Sequence, residues 1–270
     1  MIALVTGASS GIGAATARRL GRRPGTRLVL VARRRERLEA LAAELGGATV
    51  VAADLLDAAS PGRVAEQVEA EHGRLDLLVN NAGVRVTGRF ADTGWAAVER
   101  ALATNFGAVV RLTEALLPLL RRSAPSAVVN VASVSGRVAR PGTGPYSASK
   151  FALVGWTEAL QLEEAGHGVH VGLVLPGFVA TEGFSQRDLL ARPLTRWMVS
   201  SEDRVARAIV EVAAGRAERY APRPYALVPL ARQLLPGLYR RAVRGGAFTP
   251  SAGRAAATAA GGPPPRSARR

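Results

Sequence analysis

A single lysine stands in a chain that otherwise uses arginine as its basic residue. Lysine and arginine together number 36, and Lys150 is the only lysine among them. It follows Tyr146 by four residues, a spacing that puts two side chains on one face of a helix. An ammonium beside a phenol favours the phenolate, so the pair is predicted to lower the pKa of Tyr146. The alternative is that Lys150 is a leftover lysine on a solvated face.

These two side chains need elements that position them, and the apolar residues predict alternating strands and helices. Several apolar runs are rich in Val, Leu and Ala without polar alternation, as is typical of parallel strands covered on both faces. The predicted strands are residues 2–5, 27–32, 49–53, 75–80, 127–132, 169–175 and, more weakly, 225–228. The predicted helices are residues 12–22, 36–45, 61–72, 93–122 with a break near Asn105, 146–165 and 202–214. The pattern predicts an α/β fold, a doubly wound parallel sheet of about seven strands with helices on both faces.

The composition excludes several kinds of site. The chain has no cysteine, so it forms neither disulfides nor thiolate metal sites. Its three histidines show no metal-ligand spacing and no motif of a hydrolytic triad, so no metal is expected. Neither a signal peptide nor a run of ~18 apolar residues is found, which favours a cytoplasmic location.

The first predicted strand runs into a glycine-rich turn, Thr6-Gly7-Ala8-Ser9-Ser10-Gly11-Ile12-Gly13, and a helix follows. Glycines let such a turn tighten and let the backbone approach a pyrophosphate, while the helix N-terminus offers free N–H groups. Placed between a strand and a helix, the pattern predicts a dinucleotide site rather than a mere tight turn.

Taken together, these motifs resemble those of the short-chain dehydrogenase/reductase family, in its main branch of single-domain enzymes. The matching motifs are the TGxxxGxG turn, Asn80-Asn81-Ala82-Gly83 for NNAG, Tyr146 and Lys150 for YxxxK, and Pro176-Gly177 with Thr181 for the PG motif. They occur in family order, and the resemblance covers residues 1 to about 228. It implies a Rossmann-type fold, NAD(H) or NADP(H) as cofactor, and hydride transfer between that cofactor and a carbonyl or alcohol.

The resemblance implies catalytic roles for Asn105, Ser133, Tyr146 and Lys150. Tyr146 would be the general acid in reduction and the general base in oxidation, while Lys150 favours the tyrosinate and holds the nicotinamide ribose. Ser133, thirteen residues before Tyr146, would donate a hydrogen bond to the substrate oxygen as charge develops there. Asn105 would support a proton relay through water and Lys150. The alternatives are that Ser133 only ends a strand and that Asn105 only breaks a helix.

The residues at the end of the second predicted strand indicate which cofactor the protein prefers. NAD enzymes usually place an acid at its end, but here Ala32 is followed by Arg33 and Arg34. No carboxylate repels a 2′-phosphate there, and guanidinium groups can bind it, so NADP(H) is favoured over NAD(H). The alternatives are that these arginines begin a solvated helix and that Asp54, the expected adenine contact, is only a turn acid. The full set of expected cofactor contacts is Gly7, Ser9, Ser10, Gly11, Ile12, Gly13, Arg33, Arg34, Asp54, Leu55, Asn81, Ala82, Gly83, Asn105, Tyr146, Lys150, Pro176, Gly177, Val179 and Thr181.

Residues 178–200 follow the PG motif and are predicted to form a substrate lid. Their apolar side chains favour an apolar carbonyl or alcohol as substrate, contacted by Ser133, Tyr146, Phe178 and Phe184. The alternative function is a nucleotide-binding regulator or scaffold without significant turnover. We expect a homodimer through the helices within 105–122 and 146–165, or a homotetramer. The C-terminus lacks the closing strand that supports the family's usual tetramer.

The C-terminal region carries most of the charge. The net charge is +15, and residues 219–270 contain ten arginines and no acid. We expect a catalytic domain at 1–228, a basic amphipathic helical extension at 229–245, interrupted at Pro236-Gly237, and a low-complexity, disordered tail at 246–270. The extension either packs at the sheet edge with its arginines in water or makes weak contact with an anionic membrane surface. The tail has no aromatic interleaving, so no specific nucleic-acid partner is expected.

Overall fold

A parallel sheet of seven strands forms the centre of the computed structural model, which describes residues 1–180 and 198–244. The strands are β1 (Ile2–Thr6), β2 (Arg27–Ala32), β3 (Thr49–Ala52), β4 (Leu77–Asn80), β5 (Ser126–Val131), β6 (Val169–Pro176) and β9 (Glu218–Ala221). Their order is β3-β2-β1-β4-β5-β6-β9. The strand order therefore reverses between β1 and β4. Ligands of doubly wound sheets bind at this switch point, outside the carboxyl ends of the strands. The short strands β7 (Phe178–Val179) and β8 (Val199–Ser200) pair separately.

Helices cover both faces of the sheet. They are α1 (Gly11–Gly21), α2 (Arg35–Glu44), α3 (Ser60–His72), α4 (Phe90–Leu102), α5 (Ala108–Arg122), α6 (Gly144–Glu164), α7 (Glu202–Ala213), α8 (Leu227–Leu234) and α9 (Pro236–Arg244). Successive side chains of a strand point to opposite faces. Val5 accordingly packs in a cluster with residues of α1, α2 and α7, whereas Leu4 packs with residues of α3, α5 and α6. The predicted doubly wound α/β fold is confirmed.

A π-helical turn, Ala103–Gly107, separates α4 from α5. The Ala108 N–H donates to the carbonyl of Ala103, five residues back. Asn105 lies in this turn, so the predicted break in the long helix is confirmed. Such turns widen the helix locally and are frequent at functional sites.

The weakly predicted strand at 225–228 is wrong. The seventh strand of the sheet is β9, which pairs with β6, and it ends just before Pro222. Proline donates no backbone hydrogen bond to a neighbouring strand, and Pro222 directly precedes a 3₁₀ turn at Arg223–Ala226 that contains Pro224. Tyr225 is buried in this turn.

The predicted basic extension is helical, with α8 ending at Leu234 and Pro236 beginning α9. No helix in the described part of the chain is both long enough and apolar enough to cross a membrane. The predicted tail at 246–270 and the middle of the predicted lid, residues 181–197, lie outside the described residues.

Candidate active site

Ser133, Tyr146 and Lys150 line one cavity of about 310 Å³. The cavity lies at the carboxyl end of the sheet, where Ser133 comes two residues after β5 and Pro176 ends β6. Tyr146 and Lys150 lie in successive turns at the start of α6, after Pro145, whose fixed φ suits the first helical turn. The structure therefore brings together the three residues that the sequence predicted.

The Lys150 side chain is held inside the protein. Only 5% of its surface is exposed, and its Nζ donates a hydrogen bond to the backbone carbonyl of Val131 at 2.9 Å. The same nitrogen lies 6.0 Å from the centroid of the Tyr146 ring. Burial disfavours the charged form and lowers the pKa of Lys150 to about 8.

The Tyr146 phenol differs from the expectation drawn from its spacing. The sequence predicted that Lys150 would lower the pKa of Tyr146, but burial raises that pKa above its ordinary value. A hydrogen bond with Ser133 and the charge of Arg85 act in the opposite direction and are outweighed. Spacing along a helix indicates which groups are neighbours, whereas the cost of desolvation depends on the surrounding fold.

Ser133 is fixed by a tight turn. Its Oγ accepts a hydrogen bond from the Ser135 N–H at 3.1 Å and donates one to the carbonyl of Pro176 at 3.4 Å. The turn packs closely on α6, because a Cβ on Gly136 would lie 2.6 Å from the Lys150 carbonyl oxygen. Glycine at this position therefore lets Ser133 approach the helix that carries Tyr146.

Asn105 is fully buried and lines neither of the two cavities described here. Its Oδ1 accepts from the Val84 N–H at 2.7 Å, while its Nδ2 donates to the Val84 carbonyl and to Ser149 Oγ, both at 2.9 Å. Ser149 Oγ donates in turn to the carbonyl of Tyr146 at 2.8 Å. The amide thus links the segment after β4 to the first turns of α6.

A second cavity, of about 480 Å³, lies over the glycine-rich turn. The two cavities adjoin each other, because both are lined by Ile12, Asn81, Gly83 and Val84. The second cavity is called the groove below. Most of the predicted cofactor contacts line this second cavity: Gly7, Ser9, Ser10, Gly11, Ile12, Arg33, Arg34, Leu55, Asn81, Ala82 and Gly83.

The local geometry of this turn fits a pyrophosphate. Gly7 and Gly11 have φ values of +66° and +58°, in the left-handed region that favours glycine. A Cβ on Gly13 would lie 2.2 Å from the Gly7 carbonyl oxygen, so Gly13 lets α1 pack against the turn rather than line the cavity. The Ser10 side chain makes no capping hydrogen bond, so it leaves the first N–H groups of α1 to a ligand.

The arginines after β2 occupy the same groove. The Arg34 guanidinium donates to Ser9 Oγ at 2.9 Å and to Ser10 Oγ at 2.7 Å, and Arg33 is exposed beside it. Asp54 is not among the described residues that line the groove. Its carboxylate accepts from the Leu56 N–H at 3.1 Å, which is the turn role that the sequence had left as the alternative.

The end of β6 and the residues after it form part of the first cavity through Pro176, Gly177, Phe178 and Val179. A Cβ on Gly177 would lie 2.3 Å from the ring of Tyr225, so this glycine makes room for a tyrosine that also lines the cavity. The predicted contacts Thr181 and Phe184 lie outside the described residues.

Sequence reasoning missed several lining residues. They are Arg85, Val134, Val138, Arg140, Thr143, Tyr225, Val228 and Tyr239 in the first cavity, and Leu56 and Arg100 in the second. Position along the chain could have indicated two of them, since Arg85 follows the NNAG motif and Arg140 lies between Ser133 and Tyr146. No group of three or more His, Asp or Glu residues within 1–180 and 198–244 could hold a metal ion.

The fold and this groove are typical of dinucleotide-dependent oxidoreductases, and comparison with known proteins gives the family. A family model described as short chain dehydrogenase matches residues 1–189. The chain belongs to the short-chain dehydrogenase family of oxidoreductases, whose members use NAD(P) cofactors.

Relatives and solved structures agree with this family. The chain is 32% identical over 212 residues to a ketoacyl reductase, HetN, of Nostoc sp., covering 77% of this chain and 73% of the relative. It is 39% identical over 185 residues to D-threitol dehydrogenase of Mycolicibacterium smegmatis, covering 67% and 71%. A short-chain dehydrogenase structure from Streptomyces avermitilis is similar with a TM-score of 0.74 at 29% identity, covering 90% of this chain and 97% of that one. The names of these relatives share a reaction class but not a substrate.

Proposed function

We propose that this protein is an NADP(H)-dependent oxidoreductase that transfers a hydride between the nicotinamide and a carbonyl or alcohol carbon, with Tyr146 as general acid and base. The observation that carries the proposal is the meeting of Ser133, Tyr146 and Lys150 in a cavity that adjoins the groove over the glycine-rich turn. Bound NADP(H) supplies or accepts the hydride. All other steps fall to residues of this chain.

Ser133 and Tyr146 would hold and protonate the substrate oxygen. Because burial raises its pKa, the Tyr146 phenol keeps its proton at neutral pH and is a proton donor in reduction. In reduction the carbonyl carbon gains a hydride and its oxygen gains the phenolic proton, which gives an alcohol. Ser133 Oγ would donate a hydrogen bond to the oxygen as negative charge develops on it.

Lys150 and Asn105 would support these two residues. Lys150, with a pKa of about 8, carries a charge at neutral pH and would bind the ribose hydroxyls. Asn105 would support the proton relay indirectly, because it fixes Val84 and, through Ser149, the backbone of Tyr146. The expected contact with the nicotinamide end would come from Pro176, Gly177 and Val179.

The preference for NADP(H) rests on the charge of the groove. Arg33, Arg34 and Arg100 line it, and its described lining contains no carboxylate. Arg34 already donates two hydrogen bonds to Ser9 from Nε and Nη2, so its guanidinium is positioned at the edge of the phosphate turn. A 2′-phosphate would meet charge-assisted hydrogen bonds here and no like charge.

Replacement of the phenol tests the proposal. Tyr146→Phe should still bind NADPH in a thermal-shift titration but should lose turnover of aldehydes and ketones by roughly 10²–10⁴-fold. Tyr220→Phe, outside the cavity lining, is the matched control and should keep its rate. If the wild-type protein binds NADPH but turns over no carbonyl or alcohol in a broad panel, the nucleotide-binding regulator is the better explanation.

The C-terminal helices favour an additional contact with an anionic membrane surface. Leu227, Leu230, Leu234, Leu235 and Leu238 are between 47% and 69% exposed. Arg240, Arg241 and Arg244 are exposed on α9, and neither α8 nor α9 contains an acid, so the charge is complementary to anionic lipid. In a sedimentation assay the wild-type protein should pellet with phosphatidylglycerol vesicles. The double variant Leu230→Ser with Leu234→Ser should stay in the supernatant. Equal retention on neutral phosphatidylcholine vesicles would contradict this contact.

We also propose a homodimer through the outer faces of α5 and α6. Leu162 of α6 is 83% exposed, and a contact through this face of the helix would bury it. Light scattering should give a dimer for the wild-type protein and a monomer for Leu162→Glu. A tetramer or a monomer for the wild-type protein would overturn the proposed assembly.

A further inference from the structure

Arg137 ends the turn that carries Ser133 and pairs with two acids on separate elements. It directly follows the 3₁₀ turn Val134–Gly136, and Ser133 directly precedes that turn. We propose that Arg137 is a positioning residue for the reaction, which holds the Ser133 hydroxyl in the place relative to Tyr146 that turnover requires. This inference rests on the proposed function and adds a residue that lies outside the motifs and outside the described lining of the catalytic cavity.

Backbone hydrogen bonds make Ser133 and Arg137 the two ends of one short unit. The Gly136 N–H donates to the carbonyl of Ser133 at 2.8 Å, and the Arg137 N–H donates to the carbonyl of Val134 at 2.9 Å. The Ser133 Oγ also accepts from the Ser135 N–H. A shift of Arg137 is therefore passed through these bonds to the hydroxyl of Ser133.

The guanidinium group of Arg137 joins this turn to α6 and to the sheet. Its Nη2 lies 2.6 Å from Glu158 Oε1 and 2.5 Å from Glu218 Oε2. Glu158 belongs to α6, the helix that carries Tyr146, and Glu218 begins β9, a strand at the edge of the sheet. One nitrogen thus fixes the turn that carries Ser133 against the helix that carries Tyr146.

Partial burial gives these ion pairs more weight than pairs on an open surface. Only 26% of the Arg137 side chain is exposed, and its Nε is buried without a hydrogen-bond partner. Burial alone lowers the pKa of Arg137, but hydrogen bonds with Glu218 and Glu158 outweigh it and raise that pKa above its ordinary value. The charge depends on the two acids for its compensation, so the pairs hold the side chain in one place.

The backbone of Arg137 also receives the C-terminal extension. Arg232 of α8 donates from Nη1 to the Arg137 carbonyl at 2.9 Å, and its guanidinium carbon lies 5.7 Å from the centroid of the Phe151 ring of α6. Val228 of α8 lines the catalytic cavity. Arg137 therefore connects α6, β9 and α8, and two of these elements supply residues to the cavity.

The kinetics of Arg137→Gln test the inference. We expect kcat for the best aldehyde or ketone of a substrate panel to fall about tenfold or more, because small misplacements of a catalytic group are costly. The Kd for NADPH in a thermal-shift titration should stay unchanged. Arg219→Gln is the matched control and should keep both values, since Arg219 lies beside Glu218 on β9 and pairs with Glu211 at 2.7 Å.

A double-mutant cycle with Ser133→Ala separates positioning from general loosening. If Arg137 acts through the Ser133 hydroxyl, Arg137→Gln should have little further effect on kcat in the Ser133→Ala background. Arg137→Lys should recover most of the rate, because one nitrogen makes both ion pairs and an ammonium can do the same. If Arg137→Gln does not fold, Glu158→Gln removes one of the two pairs and should give a smaller loss with the same dependence on Ser133.

Three kinetic results would overturn the inference. They are an unchanged kcat in Arg137→Gln, an equal loss in the Arg219→Gln control, and the same loss with and without the Ser133 hydroxyl.

Hydrogen–deuterium exchange separates this inference from the proposed function. Exchange of the amides in residues 133–140 should be faster in Arg137→Gln than in the wild-type protein and unchanged in Arg219→Gln. Unchanged exchange in Arg137→Gln would show that Arg137 does not hold the turn. If Tyr146→Phe keeps its turnover, the catalytic proposal fails, while the exchange measurement still decides whether Arg137 fixes the segment that carries Ser133.

Discussion

The Nζ of Lys150 donates a hydrogen bond to the carbonyl of Val131, the last residue of β5, at 2.9 Å. The bond ties the cation of the second turn of α6 to the carboxyl end of β5, directly before the segment that carries Ser133. A compact ammonium is therefore held at one backbone carbonyl, a position that the larger, planar guanidinium of arginine does not reproduce.

Lys150→Arg should lose turnover by about 100-fold or more at every pH at which the wild-type protein is active. The guanidinium keeps the charge but cannot occupy the position of Nζ without displacing Val131 or Tyr146. Steady-state rates between about pH 6 and pH 9, with circular dichroism to confirm folding, measure the effect. Near-normal rates across that range would show that charge alone is sufficient.

Removing the buried charge should change how stability depends on pH. Burial lowers the pKa of Lys150 to about 8, whereas an unfolded chain titrates lysine near 10.4. Between these values the unfolded state binds more protons, so the wild-type protein gains stability as pH rises and loses it as pH falls through about 8. The charged side chain thus costs up to about 3 kcal/mol at neutral pH.

Lys150→Met lacks this cost. The free energy of unfolding of the variant minus that of the wild-type protein should therefore be largest near pH 7. This difference should decline by roughly 1–3 kcal/mol toward pH 10. Urea denaturation at several pH values measures the difference. Parallel stability curves for the two proteins would show that the lysine titrates normally in the folded state.

Arg33→Ala and Arg34→Ala should each raise KM for NADPH by about tenfold and leave KM for NADH unchanged, because only NADPH carries the 2′-phosphate. Arg35→Ala is the matched control, since Arg35 pairs with Glu39 on the surface of α2 and does not line the groove. A clear preference of the wild-type protein for NADH would contradict the argument from these arginines.

Gly177→Ala should destabilise the protein by about 1–3 kcal/mol, since the added Cβ would lie 2.3 Å from the Tyr225 ring. The ring is buried, and its hydroxyl donates to the Met198 carbonyl at 3.1 Å, so it has little freedom to move. Tyr225→Leu should relieve the clash. In a double-mutant cycle measured by denaturation, the two changes should be clearly less than additive, and strict additivity would show that the ring is not the obstacle.

The parts of the site that the sequence predicted depend on local geometry. The glycine-rich turn needs left-handed φ values at Gly7 and Gly11, and the spacing of Tyr146 and Lys150 follows from one turn of helix. The order of strands and helices likewise follows from the periodicity of apolar residues. These features are determined within a few residues of sequence.

The parts that it missed depend on contacts between distant segments. Arg85, Arg140 and Tyr225 come from three separate loops, and only the fold brings them to one cavity. The direction of the Tyr146 pKa was wrongly expected for the same reason, because burial is a property of the assembled site. The strand expected at 225–228 failed because Pro222 ends the pairing with β6 before that segment begins.

Tyr225, Val228 and Tyr239 of the cavity lie beyond residue 189, where the match to the family model ends. The residues expected to perform the reaction all lie before that point. One face of the cavity is therefore built by residues outside the part that the family model matches, whereas Ser133, Tyr146 and Lys150 lie inside it. A substitution at Tyr225, Val228 or Tyr239 would reshape the substrate cavity and leave the residues expected to perform the reaction in place.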